Sequence, residues 1–180
     1  MEKVFSRRLK RISKESAFTC LTLAAAILLP QVLHSVGIRL GVGGALGQIF
    51  LPMYLPILIL GFTRGMVPGA AAGLLAPLLS FMLTGMPAAS VLPFITIELV
   101  FTGMFAGAFA RTRIPSVLSV LFVQVLAKAV RLLSLSVFLL ASGSALTASA
   151  LLAGIVTSLP GVLLQLAAVG LVLSLHRRKI

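Results

Sequence analysis

The chain has 180 residues, of which 59% are hydrophobic and 10% charged, and a mean hydropathy of +1.18, leaving too little polar side chain to cover a water-soluble globule. At about 20 residues per crossing, this length holds six membrane helices with short loops and leaves no room for a soluble domain. The formal net charge of +12 does not point to nucleic acid, because the basic residues cluster at the edges of apolar runs, where anionic headgroups attract them.

In chain order, residues 1–15 form a basic segment with Lys3, Arg7, Arg8, Lys10, Arg11 and Lys14. Phe5, Leu9 and Ile12 follow helical spacing within it, which suits either a helix lying on the membrane surface or a disordered basic tail. A first span is expected at 16–33. Its outline resembles a signal peptide, yet the basic stretch is long and no A-x-A site follows, so it is read as a retained helix. Cys20 is the chain's one cysteine; it excludes an internal disulfide, offers no metal constellation and is expected to pack. Gly41, Gly43, Gly44 and Gly47 then mark a loop.

A second span is expected at 48–63, made irregular at its outer end by Pro52 and Pro56. Gly61, Gly65, Gly69 and Gly73 recur every four residues into a third span at 66–84, and Gly103 and Gly107 repeat the spacing in a fourth at 91–109. Small residues at this interval let helix backbones approach closely in lipid; the alternative is that glycine is simply common in membrane helices, with a turn role for Gly61 and Gly65. Pro68 suits the first turn of the third span, and Pro77 and Pro160 fall inside spans. The loop at Gly85, Pro87, Ala88 and Ala89, like the first glycine-rich loop, is either a mobile lid or an ordinary turn. The fifth span is expected at 116–140 and the sixth at 150–175, followed by a basic tail at 176–180. The expected fold is therefore an all-α integral membrane protein, a compact six-helix transmembrane domain over 16–175.

An even number of spans puts both termini on one side. Twelve of the fifteen basic residues fall on that side: the six before the first span, Arg64, Arg111 and Arg113 in two connections, and Arg177, Arg178 and Lys179. The positive-inside rule makes it the cytoplasmic side.

Lys128 and Arg131 lie within the otherwise uncharged apolar run Ser116 to Leu140. A cation at bilayer depth costs about 2.5–3.5 kcal/mol on insertion scales, so this pair calls for a polar partner, a water-filled cavity or an anionic ligand. Gln124, Lys128 and Arg131 are spaced four and three apart and form one stripe. Glu98 is the one acid within the spans, and at about 1.5 Å per residue it reaches a depth similar to that of Arg131. A Glu98 to Arg131 pair is expected, leaving Lys128 and Gln124 to hold a carboxylate, phosphate or carbonyl; Gln48, Tyr54, Thr102 and Gln165 are further candidates for the same cavity. The alternative is that Glu98, Lys128 and Arg131 only cross-link helices. A second alternative makes Ser116 to Ala127 a surface helix and starts the fifth span near Leu132.

No catalytic constellation is legible. His34 and His176 are far apart, Glu98 has no second acid, and neither G-x-S-x-G nor H-E-x-x-H occurs, so no enzyme, metal or cofactor is expected. There is no P-loop motif, so ATP-driven uptake would need partner subunits.

The stretch Leu51-Pro-Met-Tyr-Leu-Pro-Ile-Leu-Ile-Leu-Gly61, then Gly65 to Pro77, Leu83-Thr-Gly-Met-Pro87 and Pro93-Phe-Ile-Thr-Ile-Glu98 to Gly107 resembles the substrate-binding S components of energy-coupling factor (ECF) vitamin transporters. The resemblance covers most of 16–175. It implies a six-helix protein of the bacterial cell membrane that captures a vitamin or related micronutrient near its external face. It also implies a transmembrane coupling subunit and two cytoplasmic ATPase subunits as partners. The family's A-x-x-x-A motif in the first helix contacts the coupling subunit; the nearest match here, Thr22-x-x-x-Ala26, departs from it at the first position. With two intramembrane cations, an anionic cargo such as pantothenate or nicotinate is favoured, a neutral or zwitterionic pyrimidine or pyridine vitamer being the other class. Two readings compete with this one: a membrane scaffold resembling the rod-shape protein MreD, in which the charged trio is internal glue, and a small channel or secondary carrier, which needs a polar path across both halves of the bilayer.

Overall fold

The computed structural model describes the backbone of residues 2–43, 45–142 and 148–177, and the side chains of 16–43, 46–47, 49–141 and 156–173. Among these residues all regular structure is helical: α1 (Glu2–Arg39), α2 (Ala45–Phe50), α3 (Tyr54–Arg64), α4 (Met66–Thr84), α5 (Leu92–Phe109), α6 (Ser116–Ser142) and α7 (Ala148–Arg177). Five of the helices carry stretches long and apolar enough to cross a membrane: Ser16–Arg39, Met66–Thr84, Leu92–Phe109, Ser116–Ala141 and Val156–Leu173. This is a multi-pass membrane protein. Its outer surface is apolar, with Leu28, Val67, Met82 and Leu140 each more than half exposed, while Glu98, Thr102, Ser119, Gln124 and Gln165 are buried. Polar groups face inward because lipid offers them no hydrogen-bond partner.

Three features depart from the sequence reading. The basic segment is not a separate element: its backbone continues into the first span as one helix, α1, which carries Pro30 inside it. The second expected span is two helices, α2 and α3, separated at residues 51–53. Cys20, expected to pack, is exposed. The fifth expected span, by contrast, is one unbroken helix from Ser116 to Ser142, and its stretch Ser116–Ala141 is long and apolar enough to cross a membrane.

Packing centres on α3. Its 11 residues span about 16 Å, roughly half a hydrocarbon core, yet it touches α1, α4, α5 and α7. Tyr54, Ile57 and Leu60 join Ala26, Ala72, Ala76 and Leu99 in one apolar cluster, and Leu58 and Phe62 join Ala106, Val120, Val123 and Val169 in another. A helix apolar on all sides belongs in the interior.

The broadest contact is between α4 and α5, and small residues make it. A Cβ on Gly69 would stand 2.5 Å from the carbonyl oxygen of Gly103, and in the neighbouring α3–α5 contact one on Gly61 would stand 2.6 Å from Ala106 Cβ. Gly61 is thus a packing residue. Gly65 is the turn residue, at φ 97° between α3 and α4, a conformation that side chains disfavour. The antiparallel pair α5 and α6 is pinned at both ends by aromatic contacts, Phe94 with Phe138 at 5.4 Å and Phe109 with Phe122 at 5.9 Å between ring centroids. Between these two contacts lies Glu98.

Candidate functional site

Glu98 projects from the middle of α5 and has no exposed side-chain surface. Arg131 donates from Nη1 to its Oε2 at 3.0 Å, and Lys128 donates from Nζ to its Oε1 at 3.4 Å. The sequence spacing explains this: positions three apart on α6 lie on one face, and both side chains reach the same carboxylate. One acid therefore serves two cations, and the cluster carries an excess positive charge inside an apolar bundle. Lys128 Nζ also lies 5.7 Å from the Tyr54 ring centroid, within range of the attraction between a cation and an aromatic face.

Arg131 borders a cavity of about 680 Å³; Lys128 does not. Side-chain exposure follows the same division, at 35% for Arg131 and 15% for Lys128. The expected Glu98–Arg131 pair is present, but Lys128 is not left free: it shares the same carboxylate, and of the two cations it is Arg131 that also borders the cavity. The cavity walls come from Pro30, Gln31 and His34 late in α1, from Leu51, Pro52, Met53 and Tyr54 at the α2–α3 break, from Ser80 late in α4, from Met86, Pro87 and Ala88 in the α4–α5 loop, and from Thr157 and Ser158 early in α7. Helix order places all of these toward the end of the bundle remote from the basic segment at the start of α1.

The α2–α3 break is held in place from outside. Leu51 adopts φ 47°, a left-handed conformation unusual for a branched side chain. Its carbonyl accepts hydrogen bonds from the Tyr54 amide at 3.1 Å and from Gln165 Nε2 at 3.3 Å. Gln124 Nε2 donates in turn to Gln165 Oε1. Gly161 lets the backbone of Ile49 and Phe50 approach α7 so closely that a Cβ there would overlap it. Gln124 and Gln165, read from sequence as ligand contacts, are instead linked to one another and to the Leu51 turn, and neither lines the cavity. Thr102 is buried and donates to the Glu98 carbonyl at 2.8 Å, which occupies its hydroxyl within the helix. Tyr54 lines the cavity. The Gln48 side chain lies outside the described residues.

Thr22 and Ala26, expected to contact a coupling subunit, face the interior instead. Ala26 has no exposed surface and sits in the cluster around Tyr54, and Thr22 is buried with its hydroxyl bonded to the Phe18 carbonyl at 2.7 Å. The lipid-facing side of α1 carries Leu21, Leu28 and Val32.

Among the polar residues of the cavity wall, Gln31, His34, Ser80, Thr157 and Ser158 were not site candidates from sequence. Gln31 Nε2 donates to Thr84 Oγ1 at 2.9 Å and to Ser80 Oγ at 3.4 Å, clamping α1 to the end of α4. His34 lies three residues further on the same face. The signal was their spacing at the end of the first span, a place where isolated polar residues are common. Comparison of the chain with protein-family models, curated proteins and solved structures returns no match.

Proposed function

We propose that this chain is the membrane-embedded substrate-binding subunit of an ECF-type importer, capturing a vitamin-class micronutrient with an anionic group at the external face of a bacterial cytoplasmic membrane. In this reading α1, α2 with α3, α4, α5, α6 and α7 make six crossings with both termini cytoplasmic, and the cavity opens toward the outside. The observation that carries the reading is Arg131 on the wall of a cavity of about 680 Å³, beside a cluster with two cations and one carboxylate. Small-molecule sites typically occupy about 300–1,000 Å³ and are mostly apolar with a few placed polar groups. An anion on Arg131 completes the charge balance that Glu98 alone leaves unfinished. The α2–α3 break supports the same reading, since irregular backbone at membrane depth is tolerated where it is buried or lines a cavity. Delivery across the membrane falls to partner subunits, a transmembrane coupling protein and two ATPases.

The pairing of all three charged residues also suits a scaffold, in which they serve as internal glue; the cavity beside Arg131 is what favours binding. The test is thermal unfolding of the detergent-solubilised protein against a panel of water-soluble vitamins. A ligand at one hundred times its Kd adds about 2.7 kcal/mol of stability, so one member of the panel is expected to raise the melting temperature by several degrees, and Arg131→Ala to abolish the shift. A panel that leaves the melting curve unmoved favours the scaffold.

A further inference from the structure

Three buried side-chain polar atoms have no hydrogen-bond partner among the described residues: His34 Nδ1, Tyr54 Oη and Gln124 Oε1. Two of the three, those of His34 and Tyr54, belong to residues that line the cavity bordered by Arg131; the Tyr54 hydroxyl lies close enough to Glu98 and Arg131 to feel both charges but does not meet hydrogen-bond geometry with either. Leaving a buried polar atom unpaired costs about 1–3 kcal/mol, and folded proteins keep such atoms to a few per hundred residues. In a bundle surrounded by lipid, relief comes only from the interior. Two such atoms at one cavity, together with a guanidinium, describe the complement of a ligand.

Their chemistry defines that ligand. Arg131 offers forked donors suited to a carboxylate or phosphate. The Tyr54 phenol donates to an acceptor, and the ring nitrogen of His34 accepts or donates according to its tautomer. Gln31 has a different part: with its amide nitrogen held by Thr84 and Ser80, it fixes the turn of α1 that carries His34. The remaining walls, including Pro52, Met53 and Ile95, contact an apolar body. A fatty acid would leave both His34 and Tyr54 unpaired, and an inorganic anion would leave most of the space unfilled.

We infer that the cavity takes a compact organic acid bearing, besides its carboxylate or phosphate, at least two further hydrogen-bonding groups, with the acid on Arg131 and the others on Tyr54 and His34. This rests on the substrate-binding reading above and narrows its cargo. It also assigns His34 and Tyr54 as specificity-determining residues.

The test is mass spectrometry of small molecules and lipids released by denaturing the full-length protein, purified in detergent from cells grown in rich medium. Wild type, Arg131→Ala, Tyr54→Phe, His34→Ala and His34→Asn are compared after identical washing. Wild type is expected to release one such acid near one per chain. Arg131→Ala should lose it, and Tyr54→Phe and His34→Ala should each retain about five- to a hundredfold less, the equivalent of one buried hydrogen bond. His34→Asn, which keeps a polar group, should retain more than His34→Ala. Tyr54→Phe preserves shape, so it carries the test even if an alanine variant fails to fold. An acid retained equally by Tyr54→Phe and wild type overturns this inference and leaves the substrate-binding reading standing. A neutral metabolite at that stoichiometry overturns this inference and the anionic cargo but leaves a substrate-binding subunit standing, whereas a phospholipid or no bound molecule in wild type overturns both.

Discussion

Glu98, Lys128 and Arg131 have unequal parts, and substitution should separate them. Glu98→Ala leaves two cations without their carboxylate, and breaking a buried ion pair from one side costs about 3–5 kcal/mol. Its unfolding midpoint in detergent should fall further than that of either cation variant. Lys128→Met removes a charge that does not border the cavity, yet it leaves Arg131 as the one remaining partner of the Glu98 carboxylate and cancels the cluster's excess positive charge. Affinity for the anionic cargo should therefore drop about tenfold, the equivalent of one charge-assisted hydrogen bond, with little change in stability; titration calorimetry against the cargo released from wild type would read this. Unchanged affinity would mean that Lys128 plays no part in poising Arg131. The trio itself was legible in the sequence because charges inside an apolar run stand out, and depth matching paired Glu98 with Arg131. The division of labour between the two cations was not legible: both sit on one helix face, and which of them borders the cavity depends on the packing of α1, α3 and α7.

Among the helices, the α4–α5 contact and the α2–α3 break are the elements on which the cavity depends. Gly69→Ala would bring a methyl to 2.5 Å from the Gly103 carbonyl oxygen, and overpacking of this kind costs about 1–3 kcal/mol. The expected result is a lower melting temperature and a broadened elution profile, whereas alanine at Gly47, where a Cβ would meet nothing within 4 Å and φ is not positive, should leave packing intact. Gln165→Leu removes the donor to the Leu51 carbonyl and strands the amide of Gln124. It should reduce cargo affinity through the Leu51 turn without touching the ligand, a change that titration would show alongside only modest loss of stability. The glycine spacing foretold the close contact because small residues every four positions have few other uses in lipid. Pro52 and Pro56 foretold irregularity but not two helices, since the break is completed by Gln165 and Gly161 from the far end of the chain. The inward orientation of Thr22 and Ala26 was equally beyond the sequence, because the interior face of α1 is set by where α3 docks.

For the whole molecule, charge placement and helix order define a bundle with a basic end and a cavity end. In a Cys20→Ser background, Val42→Cys should react with a membrane-impermeant maleimide added to intact cells and Thr112→Cys should not, both positions being exposed; the reverse pattern would invert the orientation and put the cavity inside. The central claim is that an organic acid sits on Arg131 in this cavity, and the most direct measurement is an experimental structure of the protein purified from rich medium without removal of its bound small molecules. The account predicts density for a compact ligand within hydrogen-bond reach of Arg131, Tyr54 and His34. A closed cavity with the charged trio sealed against itself, or a lipid chain threading past an unengaged Arg131, would contradict it.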